Sequence, residues 1–228
     1  MSDDAAGSHF KVNGFEYTIA MPGLFNIENA AAAIACGLLA GFAPEQIALG
    51  LRDVRVPGRS ELISTADEKI HFFVDYAHNM LSFEKALEAL RKLYRGAKIV
   101  TLFGAPGNKA YNRRRDLPEV AARFSDEIYV VPEDTDTEDP AEISREIAQY
   151  IPDNIPCTIF ADRESGINAA FEKAVSDLQS GSTVEYVFFA AGKGREAFLK
   201  LNGGYLPYIG DYEVVKKLIA RYDTETAV

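Results

Sequence analysis

The stretch that decides the fold reads VDYAHNMLSFEKALEAL, residues 74–90. An apolar strand ends there, a short polar turn follows, and a helix begins whose apolar residues recur at helical spacing. Asp75 and His78 lie in the turn. Because open α/β sheets bind ligands outside the carboxyl ends of their strands, Asp75 is where a functional carboxylate is expected. The alternative is that Asp75 only caps the helix or closes a turn.

The same alternation of strand and helix continues from about Glu61 to the end of the chain. Apolar, β-rich segments predict strands at residues 71–74, 98–103, 127–131, 158–160 and 186–190. Helical spacing predicts helices at residues 81–93, 117–124, 141–150, 166–178 and 211–222. Such βαβ units predict an α/β fold, a doubly wound and mainly parallel Rossmann-like sheet with right-handed crossovers.

The residues before Pro57-Gly58 follow another pattern. The predicted elements are strands at residues 9–12 and 16–20 and helices at residues 26–39 and 44–51. Asn13-Gly14, between the two strands, is a strong hairpin signal. A hairpin with two helices is a poor independent domain, so residues 1–58 are interpreted as the tail of a domain whose larger part is missing. The apolar face of residues 30–39 is then expected to be exposed.

Composition excludes several functional classes. The chain has 228 residues, 47% of them hydrophobic and 25% charged, which is typical of a globular protein with a sizeable core. Its formal net charge of −10 argues against nucleic-acid and membrane-surface binding, which both require a concentrated cationic face. Two distant cysteines, Cys36 and Cys157, and no signal peptide indicate reduced thiols in a cytoplasm.

Polar clusters follow two of the predicted strands. Residues 104–109 read GAPGNK and lead to the arginines at 113–115, which are able to hold a carboxylate or phosphate or to form a solvated basic turn. Residues 133–139 form an acidic loop that would receive a cation or cap the helix beginning near Pro140. Capping explains Asp139 but not the other acids of the loop.

Residues 192–197, GKGREA, fit the dinucleotide fingerprint G-x-G-x-x-A. That fingerprint opens a βαβ unit on an early strand, whereas only residues 198–228 follow here. No apolar second strand that would deliver an acid to a ribose is predicted among them, so a Rossmann oxidoreductase is disfavoured. The chain also lacks a G-x-x-x-x-G-K-[ST] phosphate loop.

Four motifs together resemble the Mur ligases, the ATP-dependent enzymes that build the peptide stem of bacterial peptidoglycan. They are GLFNIENAAAA at residues 23–33, PGRSE at 57–61, DYAHN at 75–79 and GKGRE at 192–196. The chain is most similar to the UDP-N-acetylmuramyl-tripeptide synthetase branch, which adds the third stem residue, a diamino acid.

The resemblance implies a domain assignment. Residues 1–58 would be the end of the central ATP-binding domain, and residues 59–228 the C-terminal Rossmann-like domain. The family's phosphate loop, Mg²⁺ ligands and carbamylated lysine would lie upstream. ATP and Mg²⁺ are thus implied with ligands mostly outside this chain, no metal site or catalytic residue is expected within it, and the chain alone is expected to be inactive.

The resemblance also implies a nucleotide site. Residues matching Asn26 and Asn29 lie near the adenine in the family, the residue matching Arg59 reaches the phosphates, and the one matching Asp75 accepts from the ribose hydroxyls. Asn26 is alternatively a helix N-cap. His78 lies beside Asp75 and is interpreted as a positioning residue.

Further matches imply a site for the incoming amino acid. Arg114 matches an arginine that binds a carboxylate of the diamino acid, and Gly192 and Glu196 match residues at its distal end, with Glu196 suited to an ammonium. Lys193 would hold the acceptor or an anion.

Two positions depart from the family pattern. The loop that reads Asp-Asn-Pro-Arg in meso-diaminopimelate enzymes reads Asp134-Thr135-Asp136-Thr137 here, and Arg195 replaces a histidine. An acidic loop would repel the second carboxylate of diaminopimelate and would suit an ammonium. We therefore predict that Asp134 and Asp136 help to bind lysine or ornithine rather than meso-diaminopimelate.

The implied reaction joins the diamino acid to UDP-MurNAc-L-Ala-D-Glu in the bacterial cytoplasm, through an acyl phosphate made from ATP. The implied partners are this UDP-MurNAc-dipeptide, the diamino acid and ATP, with no nucleic acid and no membrane. The alternatives are a folylpolyglutamate-synthetase-like ligase, a cyanophycin-synthetase-like ligase and a non-catalytic binding module derived from a Mur ligase.

Overall fold

Asn13 and Gly14 turn the chain between its first two long strands, with φ of 50° and 83° as the Asn-Gly hairpin signal predicts. The computed structural model describes residues 2–4 and 7–227. These fall into two units, Met1–Val56 and Pro57–Val228. The assignment of the first unit to an ATP-binding domain stays a prediction.

The first unit is a small antiparallel sheet followed by two helices. Its elements are β1 (Ser2–Asp4), β2 (Gly7–Val12), β3 (Phe15–Ile19), α1 (Leu24–Leu39) and α2 (Pro44–Arg52). The strands lie in the order β1-β2-β3. The predicted hairpin and both helices are confirmed, and β1 is an addition.

A small core joins the helices of this unit to its sheet. Ile34 is fully buried and Ala30 nearly so, in a cluster with Phe10 and Tyr17. The expectation that the apolar face of α1 would be exposed is therefore wrong for Ala30 and Ile34, because the unit's own sheet covers them. It holds at the end of the helix, where Leu39 is 89% exposed.

The second unit is built around a six-stranded sheet in the order β4-β5-β9-β6-β7-β8. Its strands are β4 (Glu61–Ser64), β5 (Ile70–Asp75), β6 (Lys98–Phe103), β7 (Glu127–Val130), β8 (Cys157–Ile159) and β9 (Tyr186–Ala191). Its helices are α3 (Met80–Leu93), α4 (Arg113–Phe124), α5 (Pro140–Ala148), α6 (Arg163–Gln179) and α7 (Asp211–Thr226). All pairs are parallel except β4 with β5. The predicted doubly wound sheet is confirmed.

Both faces of this sheet are covered, which explains why its central strands read as continuous apolar runs. Every residue of β5 and of β9 is buried. Phe72 of β5 stacks on Phe188 of β9 with ring centroids 4.4 Å apart, beneath α6 and α7. Phe189 points to the other face, where it packs on Phe83 of α3. No helix among residues 2–4 and 7–227 is long and apolar enough to cross a membrane.

A second hairpin follows the sheet and was not predicted. It pairs β10 (Phe198–Leu201) with β11 (Gly204–Pro207) through a turn at Asn202-Gly203, where both residues have positive φ. The turn carries the same Asn-Gly signal as residues 13–14, but the flanking strands are short and half exposed. The backbone N–H of Asp136 donates to the carbonyl of Lys200, so the hairpin is joined to the acidic loop.

One ion pair lies in the interior of the second unit. Arg163 and Asp211 are both fully buried, and two hydrogen bonds of 2.7 and 2.6 Å join the guanidinium to the carboxylate. Arg163 also donates to the carbonyls of Pro132 and Ala191, and Tyr208 donates to Asp211. Breaking a buried ion pair leaves an uncompensated charge in a medium of low dielectric constant.

We therefore expect Arg163→Met to lower the free energy of unfolding by about 3–5 kcal/mol, because Asp211 would stay buried without its partner. Urea denaturation followed by far-UV circular dichroism measures the change. The matched control is Arg221→Ala, which removes an exposed partner of Glu172 and should change stability by less than about 1 kcal/mol. Equal losses in the two variants would contradict the expectation.

Candidate functional site

The carboxyl ends of β5, β6, β7 and β9 bring the predicted loops together at one edge of the sheet. The backbone N–H of Gly192 donates to the carbonyl of Asp75 over 3.0 Å. The N–H of Gly107 donates to the carbonyl of Asp134 over 2.9 Å. The loop after β9 is therefore tied to the loop after β5, and the loop after β6 to the loop after β7.

Asp75 fastens the segment before β4 to the end of β5. Its two carboxylate oxygens each accept a backbone N–H over 2.6 Å, one from Ser60 and the other from Ala77. Burial raises the pKa of the Asp75 carboxyl, although these hydrogen bonds oppose the shift. The turn-closing alternative thus describes what Asp75 does here, and its contact with a ribose stays a prediction.

Arg59, Tyr76 and His78 form a stack beside Asp75. The exposed guanidinium of Arg59 lies 4.5 Å from the centre of the Tyr76 ring. The rings of Tyr76 and His78 are also in edge-on contact. His78 Nδ1 lies 2.7 Å from the carbonyl oxygen of Tyr76. A carbonyl only accepts, so Nδ1 carries the proton and Nε2 is left as an acceptor. Burial first, and then the charges of Arg113 and Arg59, lower the pKa of His78.

Lys193 is the cation at the centre of the acidic loops. It is fully buried, and its Nζ lies 2.9 Å from Asp134 Oδ1 and 2.7 Å from Glu196 Oε2. Tyr76 donates to the other oxygen of Glu196. Asp134 and Glu196, two of the predicted acceptors of an ammonium, therefore already share one cation, Lys193. The three side chains together carry one net negative charge.

Gly192 allows the loop after β9 to approach the loop after β7. Its φ is +101°, and a Cβ atom built there would lie 2.9 Å from Glu133 Oε2. Gly104 and Gly107 have a similar role, because a Cβ at either would meet a carbonyl oxygen of the Val131–Thr135 segment. In this structure the glycines of residues 104–109 allow two loops to pack, rather than offering amides to an anion.

Arg195, the residue that departs from the family motif, contacts the segment before β4. Its guanidinium forms two hydrogen bonds of 2.7 and 2.6 Å with Glu61 and lies 3.6 Å from the Tyr212 ring centre. Glu61 also accepts the backbone N–H of Gly58. The ion pair between Arg195 and Glu61 was not predicted. Its signal in the sequence was the arginine at position 195, where the family motif has a histidine.

Arg114 already holds two carboxylates. Its guanidinium lies 2.7 Å from Glu138 and 2.8 Å from Glu146, and the ring of Tyr111 covers it. Within the described part of the chain, its buried Nε has no hydrogen-bond partner. A substrate carboxylate would therefore have to compete with these acids, and the predicted role of Arg114 stays a prediction.

The other predicted residues lie in two places. Asp136 has a φ of +55° and pairs with Lys200 of β10 over 2.9 Å, and the backbone N–H of Lys200 donates to Asp134, the partner of Lys193. Asn26 and Asn29 belong to the first unit, where Asn29 is exposed. The capping alternative for Asn26 is wrong, because Gly23 is the N-cap of α1 and buried Asn26 donates to the Pro22 carbonyl within the first turn.

Among the residues that the structure describes, no group of three or more histidine, cysteine, aspartate or glutamate side chains is placed to hold a metal ion.

Comparison with known proteins agrees with the motifs. The family model described as "Mur ligase, glutamate ligase domain" matches residues 58–190. The chain is 38% identical over 207 residues to the UDP-N-acetylmuramoyl-L-alanyl-D-glutamate–L-lysine ligase of Streptococcus agalactiae serotype Ia, covering 90% of this chain and 40% of that protein. It is 34% identical to the UDP-N-acetylmuramyl-tripeptide synthetase of Ligilactobacillus salivarius, covering 96% of this chain and 41% of the relative. The chain thus spans about two fifths of the length of these relatives.

Solved structures show the same fold at low identity. A UDP-N-acetylmuramoyl-L-alanyl-D-glutamate–2,6-diaminopimelate ligase superposes with a TM-score of 0.64 at 23% identity, covering 95% of this chain and 43% of that one. The folylpolyglutamate synthase of Mycobacterium tuberculosis reaches 0.68 at 18% identity, covering 84% of this chain and 44% of that one. At these identities the likeness concerns the fold alone.

The contact between Gly104 and the loop after β7 yields a stability prediction. Gly104→Ala should cost about 1–3 kcal/mol, because an added Cβ would lie 2.2 Å from the backbone carbonyl oxygen of Val131. Gly204→Ala is the matched control, since a Cβ added there makes only an ordinary contact of 3.8 Å with the carbonyl oxygen of Leu201. Urea denaturation compares the two variants, and equal costs would contradict the steric explanation.

The geometry of His78 yields a second prediction. Because folding lowers its pKa, the unfolded chain binds more protons just below the ordinary histidine pKa of about 6.5, and this residue's contribution to stability is lost as the pH falls through that range. Two-bond ¹⁵N–¹H spectra should show an Nδ1–H tautomer at pH 7. Spectra of His78→Gln identify the signal among those of His9 and His71, and an Nε2–H tautomer would contradict the assignment.

Proposed function

The chain belongs to the Mur ligase family, and we propose that it is the C-terminal part of an ATP-dependent ligase that adds a diamino acid to UDP-MurNAc-L-Ala-D-Glu. The names of its relatives, a lysine ligase and a tripeptide synthetase, support this assignment. In this proposal the second unit supplies the platform for the incoming amino acid. The cluster of Lys193 with Asp134 and Glu196 is the observation that carries the proposal.

The charge of that cluster favours an amino acid with a basic side chain. Asp134 and Glu196 bring two negative charges against the single positive charge of Lys193. The loop from Asp134 to Thr137 carries no arginine to pair with a second carboxylate. Diaminopimelate would bring that carboxylate close to acids, and like charges in such a site are repelled by several kcal/mol. Lysine or ornithine is therefore the proposed substrate.

The proposed reaction has two steps. An oxygen of the D-glutamyl γ-carboxylate attacks the γ-phosphorus of ATP, giving an acyl phosphate and ADP. The neutral α-amine of the diamino acid then attacks the acyl carbon, and inorganic phosphate leaves as the amide forms and the amine loses its proton. Catalysis of this kind rests mainly on positioning and on charge stabilisation.

The residues of this chain would bind and orient the reactants. Arg59 is exposed and held over Tyr76, so its guanidinium is available to an ATP phosphate. Asp75 would accept a ribose hydroxyl only beside, or in place of, its present backbone donors. Asn26 and Asn29 are proposed to lie near the adenine, and His78 to position its neighbours.

Arg114 and Asp136 are proposed to help to bind the amino acid. The Mg²⁺ that accompanies ATP is proposed to take its ligands from elsewhere in the enzyme, as the resemblance to the family implies. The proposed location is the bacterial cytoplasm, where the UDP-linked substrate and ATP are found together.

The alternatives receive less support. A folylpolyglutamate-synthetase-like ligase shares the fold, but it would add a glutamate, whose side-chain carboxylate the acids around Lys193 would repel. A cyanophycin-synthetase-like ligase or a non-catalytic module is favoured by no feature of this cluster.

A chimaeric enzyme tests the proposal. This chain would replace the corresponding C-terminal part of the Streptococcus agalactiae lysine ligase, and ADP release would be measured with UDP-MurNAc-L-Ala-D-Glu and each amino acid. We expect kcat/KM for lysine or ornithine to exceed that for meso-diaminopimelate by about tenfold or more, because of the net negative charge of the cluster around Lys193. The chain alone should show no turnover. Preference for diaminopimelate, or turnover by the chain alone, would contradict the proposal.

Thr137 offers a matched pair of variants for the charge explanation. By resemblance it matches the arginine of the Asp-Asn-Pro-Arg loop, although the loop is one residue shorter here, so Thr137→Arg in the chimaera should raise the diaminopimelate-to-lysine ratio. Thr137→Gln adds bulk without charge and should leave the ratio unchanged. A similar ratio in both variants would show that the charge of the loop does not decide the substrate.

A further inference from the structure

The backbone on both sides of Arg59 has an uncommon conformation. Gly58 has a φ of +76° and Ser60 a φ of +48°, so both lie in the left-handed region. For a residue other than glycine, such as Ser60, this conformation persists only where the surrounding contacts hold it. Gly58 and Ser60 are buried, whereas Arg59 between them is exposed. The Arg59 side chain therefore leaves a backbone that is held on both sides.

Two carboxylates hold this backbone. Glu61 Oε2 accepts the N–H of Gly58 over 2.7 Å, and Asp75 Oδ2 accepts the N–H of Ser60 over 2.6 Å. Asp75 is buried at the end of β5, a strand that is paired on both sides. Glu61, in contrast, is the first residue of the edge strand β4, which is only half buried. The Glu61 carboxylate is therefore the support that needs a further contact to stay in place.

Arg195 supplies that contact from the loop after β9. Its Nε donates to Glu61 Oε2 over 2.7 Å and a terminal nitrogen donates to Oε1 over 2.6 Å, and such a bidentate pair fixes the orientation of the carboxylate as well as its position. The ring of Tyr212 lies against the same guanidinium. The backbones also approach closely, because a Cβ built at Gly194 would lie 2.7 Å from the Gly58 carbonyl oxygen. The loop after β9 thus supports the segment that carries Arg59.

The support depends on the arginine at position 195, where the family motif has a histidine. A guanidinium presents parallel N–H donors that match the two oxygens of one carboxylate. The two ring nitrogens of a histidine point in different directions, so a histidine is unable to hold both oxygens of Glu61. The position at which this chain departs from the motif is therefore the position that fixes Glu61.

We propose that Arg195 is a positioning residue for the nucleotide: through Glu61 and the backbone of Gly58 it holds Arg59 where its guanidinium meets the phosphates of ATP. The inference rests on the proposed ligase function, in which Arg59 binds a phosphate. Holding a binding group in place before the ligand arrives reduces the entropy that binding costs. Arg195 thus acts on the nucleotide, although it belongs to the same loop as Lys193, which lies among the acids of the amino-acid site.

Steady-state kinetics of the chimaeric enzyme test this role. Arg195→Ala should raise KM for ATP about tenfold, because Arg59 is no longer held, and should leave KM for the diamino acid within about twofold of the parent value. Arg195→Lys should show a smaller rise, since an ammonium still pairs with Glu61 as a point charge. A residue that only maintained the loop after β9 would raise KM for the diamino acid instead. That result, or an unchanged KM for ATP, would overturn the inference and leave the proposed function standing.

A double-mutant cycle determines whether Arg195 acts through Glu61. Once Glu61→Ala has removed the acceptor, Arg195→Ala should raise KM for ATP no further, because both substitutions interrupt the same support. Fully additive effects would overturn the inference. Arg123→Ala is the matched control, since Arg123 also pairs with a glutamate, Glu84, and lies over an aromatic ring, that of Phe124. It should leave both KM values unchanged.

Amide hydrogen exchange in the 228-residue chain gives a readout that needs no turnover. The N–H of Gly58 should exchange about tenfold faster in Arg195→Ala, because its acceptor Glu61 is released. The N–H of Ala77, which Asp75 holds, is the internal control and should exchange as in the parent chain. Unchanged exchange at Gly58 would overturn the inference alone. An inactive parent chimaera would overturn the proposed function, and the inference with it.

Discussion

The buried ion pair between Arg163 and Asp211 is the constraint on which the site depends. Besides binding Asp211, Arg163 donates to the carbonyls of Pro132 and Ala191, the residues immediately before Glu133 and Gly192. One guanidinium therefore fixes where the chain leaves β7 and where it leaves β9. A guanidinium suits this role because its several donors lie in one rigid plane and stay charged when buried. The pair also ties the start of α6 to the start of α7.

At the site itself, the carboxylates around Lys193 outnumber the cations that pair with them. Lys193 serves two carboxylates at once, and three nearby arginines are engaged elsewhere: Arg163 with Asp211, Arg195 with Glu61, and Arg114 with Glu138 and Glu146. These four cations hold the loops of the chain itself. The cluster around Lys193 keeps a net negative charge, and this connects the packing of the loops to the proposed choice of amino acid.

The sequence predicted the elements whose signal is local. Long apolar runs such as Lys98–Phe103 gave strands at the right positions, and their carboxyl ends located Asp75, Gly192 and the acidic loop at one edge. Features formed between distant residues were missed, because spacing along the chain carries no information about them. Arg163 and Asp211 are 48 residues apart, and Glu61 and Arg195 are 134 apart. The edge strand β4 was missed for another reason: it is short and only half buried.

The order of the strands also affects how the chain acquires its structure. β9 lies between β5 and β6 in the sheet, although it is the last of the six strands in sequence. Neither β5 nor β6 is able to pair with β9 until residues 186–191 have been synthesised. Pairings of such long sequence separation form slowly, because the loop-closure entropy is lost before the contacts are gained. During synthesis on the ribosome, the sheet of the second unit is therefore completed only after residues 186–191 have been translated.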